Sequence, residues 1–391
     1  MTGRCFLGLY TRPLKLIIMK ATFSVLKLGA VLLLFVAPAC KKSEALKPVE
    51  HSKAAVSQLV NPSQIYIHAG SVRGSVDGSA VQAQFDCPTF LSVGPAKSLY
   101  VYDASFNVYV KQLNANHRKI RKITRQGIVT TFYKVAEHDA DITGMVADKD
   151  GSVYISQKHQ IKKISADGTT VKVVAGSGYA PAVRKDGPAL EATFSEPAGL
   201  AINKEGCLFI LDKGYNVLRK LSNNIVTVVA GGNKFDCDRY PNDGIGVNAE
   251  FDLPQFLSID NEDNLYVTGG YYAIFRKVTP KGEVSTITEL AQIYSVTQTA
   301  VDQSGNIYYC IYRAIGFDFK ALDFILGKAW VPDYHSTHFA QNYYPLEETN
   351  GVFVPADGLL YPTGFAIIDN MLYFSNTLEH KIRAVDLNLA Q

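Results

Sequence analysis

The sequence has little of what most catalytic and metal-site motifs require. It contains one Trp and six Cys in 391 residues, and the cysteines show no spacing typical of metal ligands. After the N-terminus no segment has the 3.6-residue periodicity of a long helix, which excludes helical solenoids. No Ser, His, Asp or Glu pattern forms a recognisable catalytic set. The sequence therefore predicts neither a cofactor nor a metal site.

Long apolar runs are also missing, apart from one near the N-terminus. The segment Leu28–Val36 is apolar and is flanked by Lys20 and Lys27, but it is shorter than the ~20 residues that a membrane-spanning helix needs. A basic flank, a short apolar run and small residues are typical of a signal peptide. We therefore interpret residues 1–39 as a signal peptide, whose true start is Met19.

The end of this segment, Ala37-Pro-Ala-Cys40, resembles a bacterial lipobox. The resemblance implies that Cys40 is lipidated and becomes the new N-terminus, in the outer membrane of a Gram-negative bacterium and outside the cytoplasm. The alternative is ordinary secretion with cleavage nearby. The polar segment 40–62, rich in Lys, Ser and Glu, is predicted to be a flexible tether, and residues 63–391 a folded domain.

A strong excess of positive charge is missing as well. The chain has a formal net charge of +3, but residues 1–39 hold five basic and no acidic residues. The remainder has 34 basic and 36 acidic residues, a net charge of −2. This balance gives no indication of nucleic-acid binding.

What the sequence does contain is an internal repeat, Asp-Gly-x4-Ala-x-Phe-x2-Pro, which determines how the rest is interpreted. Gly allows a turn, Ala and Phe are expected to anchor a crossover, and Pro to begin a strand. The repeated Asp residues are expected to cap turns, with acid–base chemistry as the alternative. The three copies begin at Asp77, Asp186 and Asp243.

A second repeated feature is an apolar-aromatic-apolar triplet, which predicts a short buried strand. Each triplet has short apolar segments before and after it, so every unit contains four predicted strands. This pattern is typical of β-propeller blades. The six copies are Leu99-Tyr-Val101, Val153-Tyr-Ile155, Leu208-Phe-Ile210, Leu265-Tyr-Val267, Ile307-Tyr-Tyr309 and Leu372-Tyr-Phe374.

Several of these motifs resemble the NHL repeat, namely Asn116–Ile123, Val229–Gly232 and Pro197–Ile202. The resemblance implies an all-β, six-bladed β-propeller of four-stranded antiparallel blades. The segment Gln64–Gly70 looks like a fourth strand that precedes any first strand, whereas the last unit, from Pro362, has three strands. The N-terminal strand is therefore predicted to join the C-terminal blade and close the ring, which would remove two exposed sheet edges.

Arg and Lys recur together in the predicted third strands, as in Arg121-Lys122 and Arg219-Lys220. Because they recur at one position, we expect them to face solvent or to pair with acidic residues of nearby loops. Binding of a polyanion is the alternative.

The fifth unit contains a long aromatic segment that is the predicted ligand-binding region. Aromatic faces could stack on a sugar or an apolar group, while two of its His residues could supply metal ligands but have no matching third residue. The alternative is a longer outer strand with packed aromatics. The candidate residues are Trp330, Tyr334, His335, His338, Tyr343 and Tyr344.

Two functions follow from these features. The first is a membrane-tethered binding or scaffold module outside the cytoplasm, whose partner is a protein or a carbohydrate of the cell envelope. The second is a propeller enzyme, either a metal-dependent lyase or lactonase or a carbohydrate-active enzyme, with its site on the loop face near the central channel. The absence of a catalytic set favours the binding module.

Overall fold

The computed structural model describes residues 65–104, 118–232, 241–270, 274–289, 295–315, 321–329, 336–345 and 362–388. By contacts, residues 58–391 form one compact unit. Within the described residues, four 3-10 helices accompany the strands, at Pro95–Lys97, Lys213–Tyr215, Gly246–Asn248 and Thr377–Glu379. No helix in those ranges has the length and apolar character that crossing a bilayer requires.

The fold is an all-β propeller built from antiparallel sheets, and the described strands form six of them. Sheet one contains β2 (Gly78–Ser79), β3 (Pro88–Val93), β4 (Leu99–Asp103), β5 (Lys119–Ile123) and β6 (Ile128–Lys134). Sheet two contains β7 (Ile142–Ala147), β8 (Val153–Gln157), β9 (Gln160–Ile164) and β10 (Val171–Ala175). Sheet three contains β11 (Gly187–Pro188), β12 (Pro197–Ile202), β13 (Leu208–Asp212), β14 (Val217–Ser222) and β15 (Ile225–Gly231).

The other three sheets come from the second half of the chain. Sheet four contains β16 (Gly244–Ile245), β17 (Pro254–Ile259), β18 (Leu265–Gly269), β19 (Ile274–Val278) and β20 (Glu283–Glu289). Sheet five contains β21 (Ser295–Val296), β22 (Ala300–Val301), β23 (Ile307–Ile315), β24 (Ala321–Ala329) and β25 (Ser336–Pro345). Sheet six contains β26 (Pro362–Ile368), β27 (Met371–Asn376), β28 (Lys381–Asp386) and, from the other end of the domain, β1 (Tyr66–Ala69).

The repeated motif has the role that its residue types predict, with one addition. Strands β3, β12 and β17 each begin at its Pro. Its Ala and Phe are buried, as Ala192 and Phe194 show at 0% exposure. Its Gly adds a two-residue edge strand, β2, β11 or β16, which pairs with the outermost strand of the same sheet. These sheets therefore have five strands rather than the predicted four, because two residues are too few to show strand periodicity.

The apolar core lies between neighbouring sheets. One cluster joins Phe209 and Leu218 of sheet three to Leu257 and Val267 of sheet four. The second strands β4 and β13 are buried along their whole length, whereas the outer strand β15 has exposed residues near its start. Each sheet therefore depends on its neighbours to cover its faces.

The first strands of the sheets contact one another in sequence order. The contacts run β3 to β7, β7 to β12, β12 to β17, β17 to β22, β22 to β26, and from β26 back to β3. The approach is close enough to require glycine, since a Cβ on Gly364 would lie 1.8 Å from the carbonyl oxygen of Thr89. Close backbone packing at this point explains why Gly recurs in several first strands.

The two ends of the domain meet in sheet six. Strand β1 pairs antiparallel with β28, with Tyr66 opposite Ala384 and Ile67 opposite Arg383. His68 lies where the register shifts, between Ile67 and Ala69. One apolar cluster then joins sheet six to sheet one and includes buried Ala69 of β1. The first and last described strands are therefore held together by both hydrogen bonding and packing.

Deleting residues 66–69 from the full-length chain should lower the midpoint temperature of unfolding by at least about 5 °C. The deletion removes several backbone hydrogen bonds, each worth ~1 kcal/mol, and also removes buried Ala69. Differential scanning calorimetry would measure the change. Deleting residues 52–55 in the predicted tether is the control and should leave the midpoint unchanged; equal midpoints for both deletions would contradict the role assigned to β1.

Candidate functional site

The recurring Arg of the third strand is a buried structural residue. Arg219 on β14 is fully buried, and its Nη2 lies 2.7 Å from Asp186 Oδ1 at the start of the repeated motif. The same guanidinium donates to the carbonyl oxygens of Thr193 and Lys185 at 2.5 and 2.8 Å. Its Cζ lies 4.4 Å from the centroid of the Phe194 ring. One side chain thus ties the crossover loop to the sheet.

Sheets one and four repeat this arrangement. Arg121 and Arg276 are buried at 0 and 2% exposure, and each donates to the motif Asp of its own sheet. Each also lies over the motif Phe. The ion-pair distances are 2.6 Å for Arg121 to Asp77 and 2.8 Å for Arg276 to Asp243. The predicted turn-capping role of these Asp residues is therefore incomplete, because they serve mainly as partners of a buried cation.

A second carboxylate supports the arginine in two of the sheets. Asp212 lies 3.3 Å from Arg219 and accepts hydrogen bonds from the backbone N–H groups of Ser195 and Glu196. Asp103 has the same position beside Arg121. Burial raises the pKa of Asp212 to about 6 and that of Asp103 to about 7, against the opposing effect of the arginine and the N–H donors. These shifted pKa values accompany a structural network rather than an open cleft.

The Lys at the next position of the third strand, which follows Arg in sheets one, three and four and Lys162 in sheet two, covers an aromatic ring of the second strand. Lys163 Nζ lies 4.8 Å from the centroid of Tyr154 and within 3.6 Å of the carboxylates of Asp148 and Asp150. Lys122, Lys220 and Lys277 lie over Tyr100, Phe209 and Tyr266 at 5.5, 6.0 and 5.9 Å. The expected pairing with acidic loop residues is found for the Arg of each pair, whereas the Lys lies on the other side of the sheet because successive strand residues face opposite sides.

A polar residue just before the third strand links neighbouring sheets. His159 Nδ1 lies 2.6 Å from the carbonyl oxygen of Ser195, and Asn216 Oδ1 accepts a hydrogen bond from the N–H of Leu253. His380 contacts the carbonyl oxygen of Asp86 in the same way and thereby links sheet six to sheet one. His380 thus has a structural role at a repeated position of the fold.

Side-chain hydroxyl and amide groups on or near the first and second strands form hydrogen bonds with backbone groups of other sheets. Gln298, between β21 and β22, donates to the carbonyl oxygen of Leu91 at 2.9 Å and accepts a hydrogen bond from the Leu91 N–H at 3.1 Å. Ser375 donates to the carbonyl oxygen of Thr89 at 2.6 Å. In the described part of the chain, no group of three or more His, Cys, Asp and Glu residues is arranged to hold a metal ion.

The predicted aromatic site lies on the fifth sheet. Trp330, Tyr334 and His335 fall outside the described residues. His338, Tyr343 and Tyr344 lie on β25, the edge strand of that sheet. The strands β23, β24 and β25 have 9, 9 and 10 residues, longer than the others. The proposed ligand role of these six residues stays a prediction.

A cavity of about 110 Å³ lies between sheets six and one. Its apolar walls come from Leu99, Ile123, Ile368 and Met371, and its aromatic walls from His68 and Tyr373. The two rings meet edge to face with centroids 4.7 Å apart. Thr124, Arg125, Lys97 and Asp369 complete the lining. A cavity of this size has room for several water-sized groups.

The cavity lies where two repeat positions change their residue type. Tyr373 pairs in register with Ala384, whereas the equivalent aromatics pair with the covering Lys, as Tyr154 does with Lys163. In sheets two to five, the turn between the first and second strands opens with an Asp or Asn residue, such as Asp148 in sheet two. In sheet six, Ile368 occupies this position. Sheet six therefore lacks the lysine that lies over the aromatic ring in sheet two and the first of the two carboxylates that accompany it.

Several polar groups of the cavity have no partner among the described residues. In sheets four and five the equivalent tyrosine hydroxyls donate to Asp260 and Asp302, but the Tyr373 hydroxyl makes no such bond. Arg125 makes no ion pair in the described ranges and is exposed. Lys97 differs, since its Nζ lies 2.6 Å from the Asp369 carboxylate. Burial lowers the pKa of His68, which leaves its ring neutral at neutral pH.

Sequence reasoning missed this cavity, although a signal for it was present. The third-strand segment of the last unit reads Lys-Ile-Arg-Ala-Val, with Ala384 where the first unit has Lys122. The loss of one lysine from a repeat is a small change in sequence. Its consequence depends on β1, because the cavity also needs His68 from the other end of the domain.

Comparisons with known proteins support the fold. No protein-family model matches the chain. The chain is 30% identical over 163 residues to the Arabidopsis thaliana protein SUPPRESSOR OF QUENCHING 1, chloroplastic, a match that covers 38% of this chain and 15% of the plant protein. The chain therefore spans a small part of that relative's length.

Two solved structures from Bacteroides thetaiotaomicron have similar folds. One, a structural-genomics protein of unknown function, has a TM-score of 0.52 at 16% identity and covers 82% of this chain and 75% of its own. The other, described as an auxiliary nutrient binding protein, has a TM-score of 0.51 at 10% identity with 82 and 75% coverage. At these identities the likeness supports the β-propeller fold alone.

Replacing Arg219 by Met should lower the free energy of unfolding by about 3–5 kcal/mol, because buried Asp212 would lose its cationic partner. Replacing Asp186 by Asn should cost much less, since that carboxylate is 33% exposed and can be solvated. Urea unfolding followed by circular dichroism would measure both values. Lys172→Gln on exposed β10 is the control; equal effects of all three substitutions would refute the structural role of the arginine.

Proposed function

We propose that this protein is a ligand-binding propeller and that the cavity between sheets six and one is its binding site. The observation that carries the proposal is that Tyr373 lines a cavity and lacks the lysine that pairs in register with the corresponding tyrosine of sheet two. In sheet two, a lysine and an aspartate cover the corresponding ring, whereas Ala384 and Ile368 leave space beside Tyr373. The space is bounded by apolar side chains and by hydrogen-bond donors without partners in the described ranges. Such a combination is typical of small-molecule sites.

The proposal includes a closed ring of six blades of the NHL type. The support for six blades is the set of six sheets and the series of first-strand contacts that returns from β26 to β3. The support for closure by β1 is its register with β28. Closure matters for function, because the cavity has walls from both the first and the last sheet and exists only when these sheets are held side by side.

The proposal also includes an extracytoplasmic location with a lipid anchor. Residues 1–39 would be the signal peptide, Cys40 the lipidated residue and segment 40–62 the tether to the propeller at 63–391. Two or more acyl chains would hold such a protein stably on a membrane. In the sequence, the tether would lead into β1, the strand that supplies His68 to the cavity.

One relative in fold supports binding as the kind of function. The Bacteroides thetaiotaomicron propeller with a TM-score of 0.51 is described as an auxiliary nutrient binding protein. We carry over ligand binding from that description, without its ligand, as part of the proposal. The aromatic segment of sheet five, from Trp330 to Tyr344, would be a second contact region for a protein or carbohydrate of the envelope.

Benzamide, a neutral planar molecule, is a suitable probe of the cavity. The purified full-length chain should show saturable chemical-shift changes at Tyr373 and His68, with a dissociation constant in the millimolar range expected for a ligand of this size. Met371→Trp should abolish the changes because the indole fills the cavity. Side-chain NMR of ¹³C-labelled Tyr and His would follow the titration.

Val81→Trp is the matched control, because it adds the same indole at a residue that is 76% exposed. It should bind benzamide as the unmodified chain does. Unfolding temperatures of both variants would establish that they fold. Absence of saturable changes in the unmodified chain, or equal binding by the Met371→Trp variant, would overturn the proposed site.

A further inference from the structure

We propose that the ligand of this cavity is a small molecule with a flat apolar body and a single carboxylate. The inference rests on the proposed function and specifies the class of ligand. It is drawn from the charges around the cavity, from the donors that lack partners and from the shape of the walls.

The charges at the rim leave one net positive charge. Lys97 is neutralised by Asp369, whose two carboxylate oxygens lie 2.7 and 2.6 Å from its Nζ. Arg125 has no carboxylate partner in the described part of the chain, and His68 is neutral at neutral pH because burial lowers its pKa. One unpaired guanidinium matches one negative charge, and planar carboxylates pair with guanidinium through two parallel hydrogen bonds.

The hydrogen-bonding groups without partners also favour an acceptor. The Tyr373 hydroxyl lacks the acidic residue that its equivalents Tyr266 and Tyr308 use. Arg125 adds guanidinium donors on the same cavity wall. A ligand that brings only donors would leave the half-buried Tyr373 hydroxyl without an acceptor, which is costly, and would form no ion pair with the exposed Arg125.

A cation is the competing ligand, because lysines occupy the equivalent place in other sheets. Lys163 over Tyr154 is accompanied by two carboxylates, Asp148 and Asp150, within 3.6 Å. In sheet six the first of these positions is Ile368, and Arg125 would repel a second cation. The remaining carboxylate of the lining, Asp369, is already paired with Lys97, so a cation would find no unpaired acidic partner there.

The walls define the body of the ligand. Leu99 and Ile123 are almost fully buried, at 2 and 1% exposure, and form apolar surface next to two aromatic rings. The volume of about 110 Å³ holds roughly seven to eleven water-sized groups at ~10–15 Å³ each. A six-membered ring with one carboxylate has nine non-hydrogen atoms and fits this range.

Benzoate, benzamide and benzamidinium test the inference, because they share one ring and differ in charge. Side-chain NMR titrations of the full-length chain at Tyr373 and His68 would give the three dissociation constants. Benzoate should bind about three- to fivefold more tightly than benzamide, the factor expected for one partly exposed ion pair, and benzamidinium should bind most weakly. The preference for benzoate should fall as salt is added.

Arg125→Gln should reduce benzoate binding to the level of benzamide and leave benzamide binding unchanged. Lys172→Gln is the control, because it changes one charge on the exposed strand β10 of sheet two, outside the cavity lining. It should preserve the benzoate preference. Equal binding of benzoate and benzamide to the unmodified chain, or tightest binding of benzamidinium, would overturn the inference on ligand charge and leave the proposed site intact. Absence of saturable changes with all three probes would overturn the proposed site itself.

Discussion

The structure depends on a guanidinium group buried under each crossover loop of sheets one, three and four. Removing such a cation from water costs several kcal/mol, and the protein offsets this cost with a carboxylate, backbone carbonyl oxygens and an aromatic face. For Arg219 these partners are Asp186, the carbonyl oxygens of Thr193 and Lys185, and the ring of Phe194. The loop that leads from one sheet to the next is thereby held in place, so each sheet can cover the apolar face of its neighbour.

This constraint explains why so many charged and aromatic residues of the chain have structural rather than catalytic roles. The Asp of the repeated motif pairs with the buried Arg, and the Lys next to that Arg covers a Tyr or Phe of the second strand. His159 and His380 bond to backbone groups of the following sheet. Residues that would attract attention as acids, bases or ligands are thus already occupied by the repeat.

The cavity arises where the repeat is least complete. In sheet six, Arg383 pairs with Glu379 at 2.6 Å. In sheets one, three and four, the equivalent Arg pairs with the Asp of the repeated motif. Its Ala384 and Ile368 replace the charges found in sheet two, and its last strand, β1, comes from the other end of the domain. A repeat fold provides similar surfaces around the ring, so a site of its own chemistry requires departures of this kind. In this protein, the departures named above occur in sheet six, where it meets sheet one.

Much of the fold could be predicted from the sequence because its signals are local and repeated. The triplet of Tyr154 predicts a buried strand, and Pro197 marks the start of β12. The direction of the Arg219 and Lys220 side chains could not be assigned, because polarity alone does not show which of two adjacent charged residues faces the core. Likewise, the cavity brings together His68, Arg125 and Tyr373, whose proximity depends on how the two ends of the domain meet.

The central claim is that the cavity, and with it ligand binding, results from two changes in the repeat. The most direct measurement is the affinity of benzamide for the Ile368→Asp/Ala384→Lys variant, which restores the carboxylate and the ammonium group that accompany Tyr154 in sheet two. The account predicts a folded protein in which the ring of Tyr373 is covered and benzamide binding at Tyr373 and His68 is lost. Unchanged affinity in that variant would contradict it.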